Sequence, residues 1–79
     1  MSIHERLETI FRDVFDDDAL EVSDRTTAAD IDGWDSVAHV NLMFAVEESF
    51  GIRFHDDELG GFADVGELKD ALRSKGVAS

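Results

Sequence analysis

Residues 36 to 50, SVAHVNLMFAVEESF, place apolar side chains on two sides of a helix, and no other stretch limits the fold as much. On a wheel of about 100° per residue with Ser36 at the origin, His39, Leu42, Met43, Val46 and Phe50 fall between about 240° and 340°. That stripe is wide enough for one core. Val37, Val40 and Phe44 fall between about 40° and 100°, a second apolar group bordered by Asn41, Glu47 and Glu48. Ala38, Ala45 and Ser49 gather near about 200°, where small side chains let another helix come close. Such a helix is central in a small bundle. Val40 can belong to a widened core stripe or to the second group. Val37 and Phe44 share their side with Glu47 and Glu48, and an apolar patch rimmed by charge has the make-up of a protein-binding surface.

The remaining segments fit around that helix. Ile3, Leu7, Ile10, Phe11, Val14 and Phe15 recur at i, i+4, i+7, i+8, i+11 and i+12, one apolar stripe on a first helix over residues 3 to 15. Ser2 is its expected N-cap, with Glu5 completing a capping box. The run Asp16-Asp17-Asp18 ends it, because negative charge is disfavoured at a helix C-terminus. A connection over residues 16 to 34 follows, anchored by Leu20, Val22 and Ile31, with room for a short helical turn. Loops of this length are uncommon and often functional. The central helix begins at Asp35 or Ser36, with Asp35 or Asp32 as acceptor for its free N–H groups, and stops at Gly51. Ile52 and Phe54 alternate to one side, Asp56 to Leu59 form a brief helix before Gly60-Gly61, and Asp64 with Glu67 opens a last helix bearing Val65, Leu68, Ala71 and Leu72. The tail from Lys75 is expected to fray. The expected fold is all-α, a bundle of three principal helices and one short helix with a long loop between the first and second helices, forming a single domain over residues 1–79.

Size and charge exclude several functions. At 79 residues, folding buries only about 60% of the surface of the unfolded chain, which leaves little protein to enclose a substrate. The absence of cysteine removes disulfides and thiolate metal sites. With 7 basic against 19 acidic residues the net charge is −12, so nucleic acid and anionic membranes repel the chain and proteins with basic patches attract it. Disorder is not the expectation, since 43% of residues are hydrophobic, including six Phe and one Trp, and they fall at regular spacing. No apolar run is long enough to span a bilayer and the first ten residues lack the pattern of a signal peptide, so no membrane insertion and a cytoplasmic, monomeric protein are expected. No Lys or Arg lies between Thr26 and Ile52, whereas Asp30, Asp32, Asp35, Glu47 and Glu48 do, so negative potential gathers around Ser36.

Candidate chemistry within the chain is thin. Ser36 and His39 are i, i+3 on one helix edge, but no nucleophile elbow or oxyanion hole accompanies them. His4, His39 and His55 are too widely spaced for a metal motif, and neither acidic loop has its glycine where a calcium loop needs it. No catalytic and no metal-binding residue is expected. The Ser36 hydroxyl then serves either as a helix cap or as an acceptor for a group attached by another enzyme, and a phosphate ester suits a helix N-terminus.

Asp35-Ser36 at the head of a helix, read with GWDSV, HVNLMFAVEESFGIRF and DVGELKDAL, resembles the acyl carrier proteins, and the resemblance covers nearly the whole chain. It implies a non-catalytic four-helix carrier in which Ser36 bears covalent 4′-phosphopantetheine, moved from coenzyme A by a phosphopantetheinyl transferase, with Asp35 presenting the serine to that enzyme. The thiol of the arm would hold acyl groups as thioesters. Val37, Val40, Asn41, Phe44, Glu47 and Glu48 would form the docking surface for acyl-transferring, ligating or condensing enzymes with basic patches. Compared with the familiar pattern, Val37 is shorter than the usual Leu or Met, Asn41 stands where glutamate is frequent, and Phe44 is bulkier than Met. These departures point to a specialised polyketide, mixed-peptide or modified-lipid pathway. Primary fatty acid synthesis, an aminoacyl or peptidyl carrier, and an unmodified acidic adaptor are the alternatives.

Overall fold

The computed structural model describes residues 2–55, 58 and 62–77. The described residues form three helices, α1 (Ile3–Val14), α2 (Ser36–Phe50) and α3 (Val65–Ser74), with a 3-10 turn at Ala28–Asp30 and no strand. Of the brief helix expected at 56 to 59, only Glu58 lies within the described residues, and it is helical.

The first helix starts as its sequence dictates. Ser2 Oγ accepts the Glu5 N–H at 3.1 Å and Glu5 Oε1 accepts the Ser2 N–H at 3.3 Å, closing the capping box. Its end lies at the expected place for an additional reason. Asp16 takes a left-handed φ of 52°, and the next N–H, that of Asp17, reaches back to the Arg12 carbonyl at 3.0 Å. Aspartate tolerates that conformation better than most residues, so the acidic run supplies the turn as well as the unfavourable charge.

One core joins all three helices. Ile3, Leu7, Ile10 and Phe11 of α1 meet Leu42, Met43 and Val46 of α2 and Val65, Leu68 and Leu72 of α3, all buried. Each such side chain contributes about 1.5–3 kcal/mol on burial. The small-residue face of α2 meets α1, where the Arg6 guanidinium donates to the Ser49 carbonyl and lies 4.1 Å from the centre of the Phe50 ring.

The connection between α1 and α2 is irregular but tied down. Val22 and Ile31 are buried and Leu20 is half-buried, as expected of anchors. Glu8 Oε2 accepts the Val22 N–H at 3.1 Å, and Arg12 Nε donates to the Leu20 carbonyl at 2.8 Å. The N–H groups of Val65 and Gly66, at the start of α3, donate to the carbonyls of Thr26 and Asp24. Lys69, itself buried, donates to Asp24 Oδ1 and lies 2.7 Å from His4 Nδ1. Backbone groups without helix partners are thus satisfied by both outer helices.

Over residues 75–77, the described part of the tail, the expected fraying is not observed. Gly76 adopts a φ of 92°, its N–H donates to Arg73 and the Val77 N–H donates to Leu72 at 3.1 Å, while Val77 packs on the core. This six-to-one closure satisfies the last carbonyls and buries an apolar residue at the same time. Lys75 adds an ion pair with Glu58 at 2.7 Å. Among the described residues no helix is long and apolar enough to cross a membrane.

Candidate functional site

The turn leading into α2 is braced from both sides. Ile31 is buried, the Trp34 N–H donates to the Ile31 carbonyl at 3.4 Å, and the Asp35 N–H donates to that of Gly33 at 2.9 Å. The Trp34 ring sits against Phe11 and Phe15, with ring centres 5.4 and 5.8 Å away. Its indole N–H donates to His39 Nδ1 at 3.2 Å, the two ring planes lying within 16° of each other. Trp34 therefore clamps the end of the connection between the far end of α1 and the first turn of α2. The sequence reading assigned Trp34 no role; its position directly before Asp35-Ser36, as the one tryptophan of the chain, was the available signal. His39 Nδ1 faces the indole donor, so that nitrogen is not the base a Ser36 nucleophile would need.

Asp35, not Ser36, caps the helix. Asp35 Oδ1 accepts the Ala38 N–H at 2.8 Å, and the Asp35 carbonyl accepts the His39 N–H at 2.9 Å. Ser36 is the first helical residue, exposed, and its hydroxyl has no hydrogen-bond partner among the described residues. The alternative of Ser36 as N-cap is thereby removed. The N–H groups of Ser36 and Val37 also lack an intrahelical acceptor, as the first N–H groups of any helix do.

The second apolar group of α2 lies on the surface. Val37 is 71% exposed, Val40 50% and Phe44 59%. Val40 thus belongs with Val37 and Phe44 rather than with the core stripe. Asn41 and Glu48 are exposed beside them, as are Asp30, Asp32 and Asp35 near Ser36. Glu47 departs from expectation. Placed by sequence on the acidic rim with Glu48, it is only 8% exposed, and its Oε2 accepts the Phe54 N–H at 2.7 Å. Its angle on the wheel lies between the two apolar groups, and the returning chain beyond Gly51 covers it. Glu47 therefore holds the exit from α2 instead of facing a partner.

Beyond Phe50 the chain turns sharply. Gly51 has a left-handed φ of 67°, and the N–H groups of Gly51 and Ile52 both donate to the Glu47 carbonyl. No group of three or more His, Asp or Glu that could hold a metal ion occurs among the described residues.

No protein-family model matches the chain. Among solved structures it is similar to the holo acyl carrier protein from Geobacter metallireducens, a solution NMR structure, at 41% identity and a TM-score of 0.84, covering 95% of this chain and 86% of that one. At 41% identity over 95% of its length, the chain belongs to the acyl carrier protein family.

Proposed function

We propose that this chain carries acyl intermediates on 4′-phosphopantetheine attached to Ser36, delivering them between enzymes of a specialised pathway in the cytoplasm. One observation supports this above the others: Ser36 is exposed at the head of a 15-residue helix, its hydroxyl without a partner among the described residues, because Asp35 does the capping. The residues present suit the group. A phosphate ester on Ser36 Oγ would lie next to the unsatisfied N–H groups of Ser36 and Val37 and at the positive end of the helix dipole. When bound, the group supplies a thiol that holds an acyl group as a thioester. Asp35 is exposed and spends one carboxylate oxygen on the cap, which leaves the other for a basic residue of a phosphopantetheinyl transferase. Trp34 fixes the approach to the serine, so the hydroxyl is presented by a held backbone rather than a loose loop.

Val37, Val40 and Phe44 form the apolar centre of the docking face, with Asn41 and Glu48 beside it and Asp30, Asp32 and Asp35 providing the field that draws basic partner surfaces. Transferring, ligating or condensing enzymes would dock there on a monomeric carrier. The short Val37, the neutral Asn41 and the bulky Phe44 support a specialised pathway over primary fatty acid synthesis. Elongation by primary fatty acid synthases at the rate of their own carriers would overturn that part of the reading.

Intact mass after incubation with a broad-specificity transferase, coenzyme A and magnesium tests the carrier role, with Ser36→Ala alongside. A gain of one phosphopantetheine in the wild type alone is expected. No gain on a folded protein with an active transferase would refute the carrier and leave an acidic adaptor that uses the same face.

A further inference from the structure

The exposed face of α2 does not stop at the end of the helix. Phe44 opens onto a cleft of about 600 Å³ formed with Glu48, Gly51, Ile52 and Arg53 and closed below by Glu47. The walls are held in place from one residue: the Glu47 carbonyl takes the N–H groups of Gly51 and Ile52, and its carboxylate takes that of Phe54. The cleft exists before any partner arrives.

Its charges are of opposite sign. Glu48 and Arg53 are both exposed, and neither makes an ion pair or side-chain hydrogen bond among the described residues. That is unusual for a cation of this chain. Of its seven Lys and Arg, Arg6, Arg12, Lys69, Arg73 and Lys75 are each held by an oxygen of the protein. Arg53 has no such oxygen among the described residues despite a net charge of −12, and it lines the cleft with Phe44, Ile52 and the Glu48 carboxylate.

From this the structure assigns the cleft to a protein partner of mixed charge: an apolar side chain inserted against Phe44 and Ile52, flanked by a basic group toward Glu48 and an acidic group toward Arg53. A uniformly basic surface, which suits the Ser36 end of the face, meets repulsion from Arg53 at this end, so the cleft selects among partners that the acidic field attracts alike. That the partner is an acyl-handling enzyme rests on the carrier reading above; the charge pattern does not.

The test uses the full chain, unmodified, labelled with ¹⁵N and titrated with two helical peptides. Both present one leucine; in the first it is flanked by lysine and glutamate, in the second by lysine on both sides. The readout is the ratio of their dissociation constants, compared among wild type, Arg53→Glu and Arg25→Glu. Arg25, in the α1–α2 connection, is the other cation without a side-chain partner among the described residues, so its reversal changes net charge equally. Reversing Arg53 should move the ratio toward the all-lysine peptide by about threefold or more, the scale of exposed ion pairs. Reversing Arg25 should leave it unchanged, and peptide-induced shifts should centre on Phe44, Ile52 and Arg53. Equal effects of the two reversals, no effect of either, no binding at all, or shifts confined to Val37 and Val40 would overturn the assignment. Because Ser36→Ala is expected to bind as the wild type does, failure here is distinguishable from failure of Ser36 to accept phosphopantetheine.

Discussion

Replacing Glu47 with alanine separates a structural glutamate from a docking one. In the folded chain Glu47 is 8% exposed, and its carboxylate accepts the buried Phe54 N–H at 2.7 Å. A hydrogen bond to a charged group contributes about 1.5–3 kcal/mol, and a buried donor left unsatisfied costs about 1–3 kcal/mol. These two descriptions overlap, so the expected loss for Glu47→Ala is about 2–3 kcal/mol. Glu47→Gln keeps an acceptor oxygen without the charge and should lose roughly half as much. A domain of this size has about 4–12 kcal/mol of stability in total, so either change is measurable. Trp34 is the one tryptophan and is packed against Phe11 and Phe15, which makes its fluorescence a suitable probe of urea unfolding. The midpoint should fall at an unchanged slope, and Tm should drop by on the order of 10 °C for the alanine variant. Glu48→Ala, at an exposed position without a side-chain partner among the described residues, is the control and should stay within about 0.5 kcal/mol of wild type. If the two variants are equally stable, Glu47 is not holding the exit loop and the argument from burial is wrong.

Four other outcomes are expected. Asp35→Ala should cost about 1 kcal/mol in urea unfolding through loss of the helix cap, with Asp35→Asn retaining most of it, and the alanine variant should also be loaded more slowly by a transferase in the intact-mass assay. The Lys69 ammonium, through its hydrogen bond and its charge, holds the Asp24 carboxyl below the ordinary value of 3.8. A carboxyl lowered on folding stabilises fully above its unfolded value and loses that contribution as pH falls through the lower folded one. The stability gap between wild type and Asp24→Asn should therefore be present near neutrality and close as pH is taken below 3.8, measured by urea titration at a series of pH values. Gly76→Ala should cost about 1 kcal/mol because the left-handed turn that closes α3 disfavours a Cβ, and thermal melting would show it. Phe44→Ala should leave urea stability within about 0.5 kcal/mol while weakening association with acyl-handling enzymes, since its ring is exposed rather than packed in the core.

Much of the helical framework was legible because its signals act within a few residues. The Ser2–Glu5 box, the Gly51 stop and the Asp64 cap each depend on a side chain or a backbone angle meeting groups three or four positions away, and such encounters are written locally. The apolar spacing of α1 and the two apolar groups of α2 were equally local, as was Asp35-Ser36. Val22 and Ile31 could be picked as anchors because an isolated apolar residue in a polar connection has few other places to go.

What the sequence could not decide was which way a residue at the border of two faces turns. Glu47 has the composition of a rim residue, and only the chain returning beyond Gly51 brings the Phe54 N–H to it and covers it. Trp34 acquires its role only when α1 lies across the turn, and Lys69 is buried only because Asp24 and His4, from two other segments, converge on its ammonium. Residues 75–77 close the end of α3 instead of fraying because Val77 finds core to cover. By itself the sequence determined the helices, their caps and the serine at the head of α2, for these depend on contacts between near neighbours. The tertiary structure decided which charges are exposed, which are satisfied internally and where the cleft lies, because those depend on groups brought together from distant parts of the chain.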